Sequence, residues 1–194
     1  MKDDVVTPAR VVNIKNIESL RGVSYHPANG LRLGALLTLA ELAADPAVRQ
    51  HCPALSEAAI EAASVQIRNV ATLGGNMCQR PRCWYFRNGM GLLAMKDGKS
   101  MMLDGDNRYA AILGNHGPAY FVSPSTLAPV LIAYGAKIRL YSANSPGVGV
   151  RELPLEKFFV IPAREGELEH DLKPGEMVIE LIVPPPPAGL KVSS

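Results

Sequence analysis

Apolar positions along the chain follow two periods. Leu31 and Leu33 alternate with Arg32 between Gly30 and Gly34, and Ala136, Ile138 and Leu140 alternate with Lys137, Arg139 and Tyr141. A period of two predicts strands with one buried face. Val11, Val12 and Ile14 form a further short β-like run, and Met177 to Val183 another, which Pro184 to Pro187 end in an extended linker. Helical spacing takes over elsewhere. Thr38 and Glu41 fit a capping box, predicting a short helix over about 39–45. Leu55, Ala58, Ala59 and Ala62 recur at i, i+3, i+4 and i+7 after Pro53, giving a helix with a narrow small-residue face. Leu127, Val130, Leu131 and Tyr134 repeat that spacing before Gly135, a natural C-terminal stop. Thr126 is the expected N-cap, leaving Pro129 in the first turn, where its missing N–H does no harm. The sum is an α+β domain, with no repeat that would indicate a solenoid or propeller.

Composition narrows the class. With 194 residues and 47% hydrophobic content, the chain can bury one sizeable core. Its 20 basic and 18 acidic side chains nearly cancel and form no block of one sign, which argues against a nucleic-acid footprint. No run reaches the roughly 18 apolar residues of a membrane helix, and the acidic start lacks a cationic signal-peptide region, so a cytoplasmic protein is expected. Three cysteines, Cys52, Cys78 and Cys83, are too few for a disulfide framework and read as reduced thiols.

Two stretches carry candidate chemistry. In Ala71-Thr-Leu-Gly-Gly-Asn76, paired glycines let backbone N–H groups approach a ligand, while Thr72 and Asn76 add side-chain donors; a tight turn between core elements is the competing reading. Met77 to Arg87 gathers two thiols, three arginines and three aromatics. Its arginines suit phosphates or carboxylates and its rings suit stacking, or the stretch is a hydrophobic cluster with snorkelling arginines. Cys78 and Cys83 offer two metal ligands where a closed site needs about four, and His26, His51, His116 and His170 share no motif. No hydrolase motif occurs.

These stretches together resemble the FAD-binding medium subunit of the molybdenum hydroxylases, the xanthine dehydrogenase and carbon monoxide dehydrogenase family. The branch that includes periplasmic aldehyde oxidoreductase and 4-hydroxybenzoyl-CoA reductase is the nearer one. The resemblance rests on Val6 to Ile14, Leu33 to Leu42, Thr72-Leu-Gly-Gly-Asn76, Gln79 to Arg87 and Ser123 to Pro129, covering nearly the whole chain in order and spacing. It implies the central subdomain of a PCMH-type FAD-binding domain over 1–187, with a small, mostly antiparallel sheet flanked by helices, an inserted loop at about 83–118 and a tail at 188–194. The N-terminal pyrophosphate-binding subdomain and the C-terminal domain are expected to lie outside this chain.

The implied role is electron transfer through FAD between a molybdopterin-binding large subunit, a two-iron two-sulfur small subunit and an acceptor, with no catalytic acid or base of its own. The resemblance places Thr72, Gly74, Gly75 and Asn76 against the flavin cofactor. Thr126 stands where the family has an acidic residue that contacts FAD, so the cap survives and the charge does not. The branch also binds a four-iron four-sulfur cluster through the cysteine matching Cys83 and three later ones. No cysteine follows Cys83, so that cluster is not expected. A scaffold or subunit-docking module that no longer binds FAD is the alternative.

Overall fold

The computed structural model describes residues 7–114, 116–143 and 149–185. Pro186, Pro187 and the tail at 188–194 lie outside the described residues. The chain divides into two compact units: a sheet unit of residues 14–78, 125–158 and 172–194, and an insert unit of residues 1–13, 79–124 and 159–171.

In the sheet unit, β1 (Val23–His26), β2 (Gly30–Gly34), β5 (Lys137–Ser142), β6 (Val150–Pro154) and β7 (Glu176–Val183) form one antiparallel sheet in the order β1-β2-β7-β5-β6. Register follows the apolar alternation. Leu181 faces Leu33 on one side and Ile138 on the other, and all three are fully buried. A one-residue slip would turn that row to the opposite face. The other face carries a charge ladder: Arg32 donates to both carboxylate oxygens of Glu180 at 2.9 and 2.7 Å, and Arg139 donates to Glu180 at 3.0 Å. Lys137 donates to Glu152 at 3.0 Å further along it.

The helices of this unit are α1 (Leu39–Ala44), α2 (Pro46–His51), α3 (Pro53–Glu61), α4 (Val65–Arg68), α5 (Leu73–Met77) and α7 (Leu127–Ala133). The capping box forms as the sequence predicts: Thr38 Oγ1 accepts from the Glu41 N–H at 3.1 Å, and the Thr38 N–H donates to the Glu41 carboxylate at 2.8 Å. That backbone bond holds the Glu41 carboxyl below the usual carboxylate range. Leu55 and Ala59 on α3, and Ala62 just after it, are buried, and the small face permits close packing against α1 and α7. Gly135 ends α7 with a positive φ of 68°.

Three expectations change. Val11 and Val12 belong to no strand and are 71% and 70% exposed, because apolar β-formers without a hydrogen-bonding partner make no sheet. Thr126 stands at the helix start in helical conformation and makes no capping bond; the oxygen that accepts from the Ala128 N–H, at 3.0 Å, is Ser125 Oγ. The edge strands β1 and β6 also form beyond the strands expected from the sequence, since edge strands need bury little and so carry a weak apolar signal.

The insert unit contains α6 (Trp84–Arg87) and a hairpin of β3 (Met95–Lys96) and β4 (Lys99–Ser100). Asp97 and Gly98 turn the hairpin with φ of 50° and 79°, the left-handed pair a two-residue Asp-Gly turn requires. Leu92, Leu93, Ala94 and Met102 are buried beside it and give this unit an apolar core. Arg80 and Glu169 form an ion pair at 2.5 Å, with the Glu169 side chain 8% exposed.

Candidate functional site

Thr72 to Asn76 do not form an open turn. Thr72 is an N-cap: its Oγ1 accepts from the Gly75 N–H at 3.2 Å, and residues 73–77 wind into the single turn of α5. The segment before that turn runs antiparallel beside residues 35–39. Leu39 N–H donates to Ala71 O at 2.9 Å, Leu73 N–H to Leu37 O at 2.8 Å and Gly74 N–H to Ala35 O at 2.8 Å. The Leu33–Leu42 and Thr72–Asn76 stretches are thus laced together, and Ala35 is tied to β7 through a bond to Ile179 O at 3.0 Å.

This lacing gives the two glycines different tasks. Gly74 is buried, and a Cβ there would lie 2.9 Å from the Ala35 Cβ, so glycine lets the turn close on the neighbouring segment. Gly75 is exposed, and a Cβ there would meet only Thr72 Oγ1. It presents bare backbone to solvent. Asn76 N–H donates to Thr72 O at 2.8 Å, so every backbone N–H from Leu73 to Asn76 is engaged within the protein.

Asn76 is buried, and its Oδ1 accepts the Ser125 hydroxyl proton at 2.6 Å. Ser125 accepts in turn from the Ala128 N–H, which starts α7. Two segments 49 positions apart are thereby joined, and the exposed Thr126 follows directly on the joint. All five residues singled out from the sequence therefore lie in the sheet unit, with Thr126 brought to the loop through its neighbour. None of the five titrates. Ser125 and Ala35 are the partners the sequence did not single out. A Ser-x-x-Ala capping spacing over 125–128 was the available signal for Ser125.

In the insert unit, Cys83 precedes α6 and borders a surface cleft with Arg82, Trp84, Arg87 and Tyr109. Among the described residues, no group of three or more His, Cys, Asp or Glu side chains is arranged to hold a metal ion. Cys52 is buried, and desolvation pushes its thiol up to about 11. No helix among the described residues is long and apolar enough to cross a membrane.

Residues 1–186 match the family described as the FAD binding domain in molybdopterin dehydrogenase. The chain is 31% identical over 191 residues to the aldehyde oxidoreductase FAD-binding subunit PaoB of Escherichia coli K12, covering 97% of this chain and 59% of that protein. It is 30% identical over 177 residues to the xanthine dehydrogenase FAD-binding subunit of Escherichia coli O157:H7, covering 91% and 44%. The chain thus spans about half the length of the curated relatives it matches. Among solved structures, the CO dehydrogenase of Oligotropha carboxidovorans shares the fold with a TM-score of 0.64 at 18% identity, covering 97% of this chain and 48% of the other. Quinoline 2-oxidoreductase from Pseudomonas putida 86 shares it at 0.60 and 20% identity, covering 94% and 46%. The α+β architecture and the sequence match agree, and the chain belongs to the FAD-binding domain family of the molybdopterin dehydrogenases.

Proposed function

We propose that this chain is the flavin-facing portion of a molybdenum hydroxylase-type oxidoreductase. It holds FAD against the Thr72–Asn76 turn, and electrons pass from molybdopterin and two-iron two-sulfur subunits through FAD to an acceptor. The observation that carries this reading is the joint between Asn76 and Ser125, which sets an exposed glycine, a side-chain amide and the Thr126 hydroxyl at one place. Gly75 offers an edge without a side chain, along which a flat ring can lie. The Asn76 oxygen is occupied by Ser125, so its NH₂ group is the part left to donate to a carbonyl or ring nitrogen. Gly74 serves by closing the turn onto Ala35. FAD, when bound, supplies the electron-carrying chemistry, and the protein supplies orientation and exclusion of competing reactions.

One observation favours the second reading, a scaffold or docking module without FAD. The backbone N–H groups of residues 73–76 are all engaged within the protein, so this turn has none to offer the two phosphates. Each missing phosphate bond forfeits on the order of 1 kcal/mol or more, enough in sum to abolish tight binding. Both readings meet in one experiment: the ultraviolet–visible spectrum of the purified chain titrated with FAD. A saturable shift of the flavin bands, weakened by Gly75→Ala, supports the flavin site. An unperturbed flavin spectrum at every concentration overturns it in favour of the scaffold.

A further inference from the structure

The stretch from Arg80 to Arg87 is not absorbed by the flavin reading, and its three arginines are not equivalent. Arg80 is satisfied: it pairs with Glu169 at 2.5 Å and lies over the Phe86 ring at 5.0 Å. Arg82 makes a long bond, 3.4 Å, to the neutral Gln79 side chain. The Arg87 N–H closes the first turn of α6 on Cys83 O at 3.0 Å, but its guanidinium has neither ion pair nor hydrogen bond among the described residues. Arg82 and Arg87 border the same cleft of about 430 Å³, together with Cys83, Trp84, Tyr109, Val122 and Pro124. Nearby Arg108 is already matched by Asp106 at 2.7 Å, and among the described residues no acidic side chain borders the cleft, so within them its two guanidinium charges are uncompensated.

The apolar walls are equally unsatisfied. Trp84 is 53% and Tyr109 65% exposed, their rings tilted by 51° with centroids 5.9 Å apart. Two large rings left in water are costly at ~25 cal/mol per Å² of apolar surface, and a volume of this size lies within the ~300–1,000 Å³ of small-molecule sites. A guanidinium fork matches carboxylate or phosphate oxygens two at a time, and aromatic faces stack on a flat ring.

We propose that this cleft binds a small planar aromatic anion, its ring against Trp84 and Tyr109 and its carboxylate or phosphate on Arg82 and Arg87. The site shares no residue with the flavin turn, so it stands or falls independently of that reading.

Trp84 is the only tryptophan of the chain, so its emission reports directly on the cleft. The full chain is titrated with benzoate and, separately, with adenosine 5′-monophosphate; benzamide and adenosine serve as uncharged controls. A saturable change in Trp84 emission is expected with at least one anion, weaker by tenfold or more for its uncharged control and in the R82Q/R87Q variant. Response to benzoate alone identifies a carboxylate ligand, to the nucleotide alone a phosphate, and to both the shared chemistry. If the double variant does not fold, wild-type affinity measured across salt concentrations replaces it, and must fall as salt rises. Absence of a saturable response to either anion, equal responses to charged and uncharged ligands, or insensitivity to both the variant and salt overturns the proposal.

Discussion

The Ser125 hydroxyl lies 2.6 Å from Asn76 Oδ1 and 3.0 Å from the Ala128 N–H, so one side chain both starts α7 and fixes the amide of the Thr72–Asn76 turn. Ser125→Ala removes an N-cap and strands a buried amide oxygen together. It should lower the unfolding free energy by about 1–3 kcal/mol and weaken any FAD binding. Thr126→Ala, at an exposed position with no capping bond, should change stability by less than about 0.5 kcal/mol. Urea unfolding of both variants checks the contrast, and equal effects would return the capping role to Thr126.

The two glycines of the turn should respond in opposite ways. Gly74→Ala forces a methyl group against Ala35 in a closed site and should destabilise by about 1–3 kcal/mol. Gly75→Ala should cost less than about 1 kcal/mol, because only the Thr72 hydroxyl must shift, yet it should reduce flavin affinity by covering the bare edge. Thermal unfolding alongside the FAD titration separates the two effects.

The capping box gives stability a pH dependence of known sign. Hydrogen bonding from Thr38 depresses the Glu41 carboxyl in the folded state, so its contribution is present above the ordinary carboxylate range and is lost as pH falls through the folded-state value. Glu41→Gln should therefore cost about 0.5–1 kcal/mol near neutral pH, a modest figure because the side chain is half exposed, and almost nothing in acid. Urea midpoints of wild type and variant should converge as pH is lowered. A gap that widens in acid would show that Glu41 acts otherwise.

Thiol chemistry should sort the three cysteines. Cys52 is buried and its thiol is pushed up to about 11, whereas Cys78 and Cys83 are half-buried. An aromatic disulfide reagent at neutral pH should reach Cys78 and Cys83 in the native chain and Cys52 only after denaturation. Mass spectrometry of labelled peptides reads the order, and prompt native labelling of Cys52 would contradict its packing.

Much of this protein is written locally. The Thr38–Glu41 box, the stop at Gly135 and the alternation of Ile138 and Leu140 each depend on residues within a turn or two, so spacing alone reveals them. The family match is carried in the same way, by short stretches in a fixed order. Val11 and Val12 show the limit: they have strand propensity, but a strand exists only where another backbone accepts its hydrogen bonds. The same reason makes β1 and β6 hard to foresee, since each is held at a sheet edge by a partner strand.

What the sequence determined by itself was which residue types were available: glycines at 74 and 75, an amide at 76, a hydroxyl at 126 and three arginines around an aromatic run. Tertiary structure decided their tasks. It placed Ala35 beneath Gly74, making that glycine a packing element, and brought Ser125 across 49 positions to Asn76. It also gave Arg80 a carboxylate partner and, among the described residues, left Arg87 without one. Spacing along a chain reports neighbours along the chain, whereas the partner that neutralises a charge or fills a hydrogen bond is selected by the approach of distant backbone, which no local period encodes.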